Sequence, residues 1–171
     1  MSCHPDEASN ASAVVPNHNL WYEWFFFGLA NETPQEPTMT TRRAECQCGQ
    51  LSATCSGEPY RISVCHCLAC KRKTGSAFGF GAWFRQSDVL TEGNATEFVR
   101  VGDDGGHVTN RFCPNCGATV LWSIDTLPGV VAVSAGGFAD LAFPPPSVSV
   151  YHQSRRYPWV EIRAEPLEKR G

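Results

Sequence analysis

The sequence predicts a mainly β chain with little helix. Apolar residues recur with period two over short runs, glycine and proline punctuate those runs, and no stretch sustains a 3.6-residue period. Seven of the nine cysteines also fall in three tight clusters: Cys46 and Cys48; Cys65, Cys67 and Cys70; Cys113 and Cys116. One or two intervening residues let a tight turn aim two sulfurs at one metal ion, a common cross-link for short strands.

Taken in order, the first 38 residues differ from the rest. They carry Asp6, Glu7, Glu23, Glu32 and Glu36, no Lys or Arg, and an aromatic patch from Trp21 to Phe27. We read 1–38 as a disordered or non-native leader. Met39, followed by the polar residues 40–45, is the expected natural start of a zinc-binding domain spanning 39–171. Cys3 and His4 in the leader read as incidental.

Gln50 to Ser56 predicts a short strand with Leu51, Ala53 and Cys55 on one face, and Tyr60 to Val64 alternates in the same way. Ala77 to Phe84, rich in aromatic and small residues, reads as a buried strand kinked by glycine. Ser87 is placed to cap a short helical turn over 87–90. Thr96 to Val101 and His107 to Phe112 predict two arms around the glycine- and aspartate-rich turn 102–106. Thr119 to Ile124 and Val130 to Ser134 form a second pair around Pro128 and Gly129. Ser147 to Tyr151 adds a last strand after three prolines.

Composition narrows the function classes. The 171 residues are 42% hydrophobic and 18% charged, ordinary for one globular domain with a core. The formal charge is -3, but outside the leader twelve acids face fourteen bases, too weak a balance to argue for nucleic-acid binding. No run approaches the roughly 20 apolar residues of a membrane span. No secretory signal is visible, and paired short spacings suit metals better than disulfides, so the chain is expected in a reducing compartment, the cytosol.

Seven sulfurs exceed the four of a tetrahedral structural zinc. Four plus three is the natural division, and a three-ligand zinc keeps an open position for chemistry. Spacing alone does not say which cysteines share an ion. Cys67, Cys70, Cys113 and Cys116 could form a two-knuckle ribbon, although 42 residues separate those pairs against the roughly 15–20 usual in such ribbons. Alternatively Cys46 and Cys48 join Cys113 and Cys116, leaving Cys65, Cys67 and Cys70 as one compact set. Thiolates bring negative charge, and Lys71, Arg72 and Lys73 stand ready to offset it or to guide an anionic substrate. Thr74-Gly75-Ser76 either offers hydroxyls and backbone N–H groups to a ligand or merely turns the chain.

The order of these motifs resembles the glutathione-dependent formaldehyde-activating (GFA) family, or CENP-V/GFA domain. The resemblance rests on Glu45-Cys46-Gln47-Cys48-Gly49, on Cys65-His66-Cys67-Leu68-Ala69-Cys70 with Thr74-Gly75-Ser76, and on Arg111-Phe112-Cys113-Pro114-Asn115-Cys116-Gly117, and covers about 42–162. It implies an Mss4-like antiparallel β fold with zinc knuckles. It also implies two zinc ions: a structural one on Cys46, Cys48, Cys113 and Cys116, and a catalytic one on Cys65, Cys67 and Cys70.

The activity implied is condensation of glutathione with formaldehyde to S-(hydroxymethyl)glutathione, formally a carbon-sulfur lyase in reverse. Substrate carboxylates would then be received by Lys71, Arg72 and Lys73, with Thr74 and Ser76 also binding substrate. The competing class is a non-catalytic zinc module for a protein or nucleic-acid partner. Cys55 reads as a buried structural thiol, and His66 as a hydrogen-bonding support to the neighbouring ligands. Gly49 and Gly117 are expected to shape the knuckle turns, and His107 and His152 lack clustered partners.

Overall fold

Strand alternation sorts the central residues of the chain onto two faces, and the two faces do different work. The computed structural model describes residues 39–150, 153–163 and 168–170. The expectations for 1–38, including Cys3, His4 and the aromatic patch, and that for His152, fall outside the described residues.

Eleven strands and one α-helix are described. The strands are β1 (Thr41–Glu45), β2 (Ser52–Ser56), β3 (Arg61–Cys65), β4 (Gly79–Arg85), β5 (Val89–Glu92), β6 (Thr96–Val101), β7 (His107–Phe112), β8 (Thr119–Ile124), β9 (Val130–Ser134), β10 (Val148–Val150) and β11 (Glu168–Arg170). The helix, α1, spans Leu68–Thr74. The strands form a three-stranded sheet, β1-β2-β5, and an eight-stranded sheet in the order β11-β10-β3-β4-β9-β8-β7-β6. Pairing is antiparallel except at β10, which runs parallel to both β3 and β11. This mostly β, two-sheet architecture agrees with the Mss4-like fold that the family resemblance implies.

One face of the large sheet meets the small sheet. Leu51, Ala53 and Cys55 are fully buried there, as their alternation predicts, against Ile62, Phe84, Val120, Val131 and Val133. Burying such side chains stabilises by roughly 1.5–3 kcal/mol each. Trp83 of β4 and Ala132 of β9, which alternate with residues of that core, turn the other way. Trp83, Val108, Trp122 and Ala132 form a second buried cluster, with Ile124 and Leu127 against it.

The two predicted hairpins form with the expected bounds. β6 pairs with β7 from Thr96 opposite Phe112 to Val101 opposite His107, and β8 pairs with β9.

Several elements differ from expectation. Residues 41–45, read as a polar lead-in, form β1, in which only Ala44 is fully buried. Pairing with β2 and exposed ion pairs from Arg43 to Glu45 and Glu92 hold it, and a hydrophobic pattern does not announce such a strand. Ser87 caps nothing: a 3-10 turn spans Gln86–Asp88 without a side-chain cap, and Val89 and Leu90 enter β5.

Helix α1 lies in a stretch for which the sequence predicts no strand or helix. Seven residues are too few to display a helical period. Its N-cap is Cys67, whose Sγ accepts from the Cys70 N–H at 3.3 Å in place of the usual hydroxyl or carboxylate oxygen.

Candidate metal centres

The first cysteine group is built from two hairpin tips. Cys46 and Cys48 occupy the turn between β1 and β2, and Cys113 and Cys116 the turn between β7 and β8. Each turn is closed by backbone bonds around its leading cysteine: Cys46 N–H to the Leu51 carbonyl at 2.9 Å, and Cys113 N–H to the Ala118 carbonyl at 3.0 Å. Gly49 and Gly117 follow with φ of 75° and 74°, the left-handed region that favours glycine.

The four sulfurs all lie within 4.8 Å of one another. Cys48 is 3.6 Å from both Cys46 and Cys113. Tetrahedral thiolates at about 2.3 Å from one ion would be about 3.8 Å apart. The group can therefore hold a metal ion with little rearrangement. Backbone N–H of Gln50, then the Asn115 side chain, lower the Cys48 thiol to about 6, whereas burial raises Cys113 to about 11.

The second group comes from one short stretch. Cys65 ends β3, Cys67 caps α1, and Cys70 lies one turn into that helix. Their sulfurs also lie within 4.8 Å of one another. Cys67 is held lowest because the Cys65 and Cys70 thiols and the Cys70 N–H all donate to it, with Arg100 adding positive field. Cys65 is pushed up by the same sharing with Cys67 and Cys70.

The two groups partition the cysteines as 46, 48, 113 and 116 against 65, 67 and 70. All eight described cysteines are free thiols. Cys55 joins neither group; it is fully buried, and burial raises its thiol to about 12.

The second group opens on a cavity of about 260 Å³, lined by all three cysteines together with Lys73, Arg100, Trp83 and Trp122. Asp103 and Asp104, from the turn after β6, line it too. A wider groove of about 580 Å³ adjoins it, between α1 and the β6–β8 strands. Its lining includes Arg72, Lys73, Arg100 and Asn110.

The five residues expected to receive a substrate are sent in different directions. Lys73 lines both cavities; its Nζ lies 3.3 Å from the Trp122 ring centre, and burial lowers its pKa to about 8. Arg72 lines the groove alone. Lys71 is buried on the other side of the helix, where its Nζ donates to the Arg155 carbonyl at 2.6 Å and sits over the Tyr157 ring. Thr74 Oγ1 lies 2.9 Å from the Cys70 carbonyl and 3.1 Å from that of Phe78, donates its one proton to this pair, and accepts from Ser76 N–H, closing the helix end. Ser76 is exposed.

His66 is wholly buried with its ring edge-on to Phe78, and neither ring nitrogen has a well-formed hydrogen bond. Burial lowers its pKa, with the Ala77 backbone partly opposing.

Arg100, Trp83 and Trp122 escape sequence reading. Each sits in an ordinary alternating strand, and only the order of the large sheet brings them beside Cys65–Cys70. A weak signal exists at Trp83, an aromatic two residues from Gly81 in a run otherwise read as core.

A family profile described as glutathione-dependent formaldehyde-activating enzyme matches residues 41–154. A crystal structure of a Rhodobacter sphaeroides protein is similar at 21% identity with a TM-score of 0.42, over 56% of this chain and 85% of that chain. No curated protein matches the chain. Among the described residues, no helix is long and apolar enough to cross a membrane.

Proposed function

This chain belongs to the glutathione-dependent formaldehyde-activating enzyme family, and we propose that it is a zinc-dependent, carbon-sulfur lyase-type enzyme acting on a glutathione–aldehyde adduct. One observation carries the reading: the three-cysteine group leaves a fourth ligand position unfilled and opens on a cavity beside two cations, Lys73 and Arg100, whereas the four-cysteine group supplies a full set of four sulfurs. All-sulfur donor sets with these spacings fit zinc, and two ions per chain follow. A reducing, cytoplasmic setting would keep these cysteines available as thiolate ligands.

A zinc ion held by Cys65, Cys67 and Cys70 would supply positive charge that favours a substrate thiolate and polarises an aldehyde oxygen. The residues of the chain bind and orient. Arg72, Lys73 and Arg100 present cations to the two carboxylates of glutathione along the groove. Trp83 and Trp122 wall the reacting end and limit water there. In the condensation the thiol sulfur bonds to the aldehyde carbon, the carbonyl π pair moves to oxygen, and the thiol proton finishes on that oxygen. Holding thiol and carbonyl together supplies much of the rate gain.

The test is metal analysis of the full chain, followed by cobalt substitution and addition of glutathione. Two ions are expected, and glutathione should change the visible spectrum of one. Exchange between glutathione and S-(hydroxymethyl)glutathione, followed by NMR, should accelerate in parallel. A cobalt spectrum indifferent to glutathione would instead favour a non-catalytic module that binds a protein or nucleic acid.

A further inference from the structure

The cavity beside Cys65, Cys67 and Cys70 holds more room, and more apolar wall, than formaldehyde can use. Its volume is about 260 Å³, against about 30 Å³ per water in the liquid. Formaldehyde has two heavy atoms and no substituent. Beyond the sulfurs the wall includes Gly81, Trp83, Val108, Trp122 and Ile124.

That space is built by the fold. A Cβ on Gly81 would come within 2.7 Å of Cζ2 and Cη2 of Trp122, so only glycine lets this ring lie back against β4. The ring is held from two further sides. Lys73 Nζ sits 3.3 Å from its centre, and Trp83 meets it edge to face at 6.2 Å. Trp83 is itself fixed by a 2.8 Å bond from Nε1 to Ser63 Oγ.

The cavity and the basic groove share Cys70, Lys73 and Arg100. An adduct can therefore place its anionic tripeptide in the groove and its carbon substituent against the tryptophans, hinged at those three residues. Asp103 and Asp104 face the same cavity, although Asp103 also pairs with Arg155, and they disfavour an anionic substituent.

Resting on the glutathione reading above, we infer that the aldehyde partner carries a neutral apolar group of about the size of a phenyl or branched alkyl chain. Gly81 sets the room for it. The reaction is the same addition: the sulfur–carbon bond forms, the carbonyl π bond breaks, and the thiol proton passes to oxygen.

The test uses unreactive thioethers as mimics of the two adducts, S-methylglutathione and S-benzylglutathione, titrated by calorimetry into the zinc-loaded full chain. S-benzylglutathione should bind on the order of 10-fold tighter, because its ring buries apolar surface on the cavity wall. Gly81→Ala, checked for two bound zinc ions, should abolish that preference by pushing Trp122 into the space. Ile124→Phe, which fills the cavity from β8, is the second variant should Gly81→Ala not fold.

If S-methylglutathione binds and S-benzylglutathione binds no tighter, the inference falls and the glutathione reading stands. If neither thioether binds, and glutathione does not, both fall. A benzyl preference that survives filling of the cavity also overturns the placement.

Discussion

Cys48 and Cys113 are 65 positions apart and their sulfurs are 3.6 Å apart. Cys65, Cys67 and Cys70 sit within one strand end and one helical turn. Both groups bring thiols within 4.8 Å of one another, yet their physical consequences differ. The first joins hairpin tips from two separate sheets, so an ion there ties distant parts of the chain, a link the unfolded chain can close only at a large entropic cost. The second is assembled largely by local structure and adds little to the closure of the fold. What it has instead is a fourth ligand position that no cysteine fills, beside a cavity. The same ligand chemistry serves as a cross-link where the donors come from afar and surround the ion. Under the proposed function it serves as a reaction centre where they come from one place and leave a ligand position free.

The largest effect should separate the groups directly. Cys113→Ser should destabilise the domain by ~5 kcal/mol or more, a sizeable part of the ~10–16 kcal/mol contributed by a structural zinc. Cys67→Ser should lose one zinc with the fold retained, because serine is a preferred N-cap and its Oγ can replace the sulfur at the start of α1. Thermal unfolding and metal content of both variants measure this. Equal collapse would erase the distinction.

A smaller effect tests the cavity. Lys73→Met or Arg100→Met should weaken glutathione binding by ~1.5–3 kcal/mol, the scale of a hydrogen bond to a charged group, and leave both ions bound. Lys71→Met should instead lower stability without altering affinity, since its ammonium holds the Arg155 carbonyl and the Tyr157 ring. Calorimetric titration alongside urea unfolding distinguishes these outcomes.

The smallest effect concerns the other end of the β7–β8 hairpin, away from the metal tip. Asp125 is held below the usual carboxylate range, first by hydrogen bonding to the His107 side chain and then to its backbone N–H. A depressed carboxyl contributes stability above its unfolded pKa, near 3.9, and loses it as pH falls through the folded value. The stability difference between the native chain and Asp125→Asn should therefore shrink as pH drops below about 4. A difference as large as that of Cys113→Ser would show that the metal tip is not what holds the hairpin.

Much of this arrangement is legible in the order of residues. Period-two alternation marks Leu51, Ala53 and Cys55 as one buried face, because a strand sends alternate side chains to opposite sides. The 102–106 turn marks its hairpin because glycine and aspartate favour such turns. The cysteine turns mark two groups able to hold metal ions because short spacings can aim sulfurs locally, and the family resemblance names the partition that the sulfur positions show. β1 and α1 are hidden. One is polar and held by its neighbours, and the other is too short for its period to register.

The features that sequence dictates here are local: which residues alternate, where the chain turns, and which thiols can reach one ion. Tertiary structure decides the cavity. Arg100 comes from β6, Trp122 from β8, Gly81 and Trp83 from β4, and only the strand order of the large sheet sets them beside Cys65, Cys67 and Cys70. It also splits Lys71, Arg72 and Lys73, three adjacent cations, into a buried clamp, a groove residue and a cavity residue. The physical reason is that ligand spacing acts through a few bonds of chain, whereas the shape and charge of a cavity depend on every strand that packs around it.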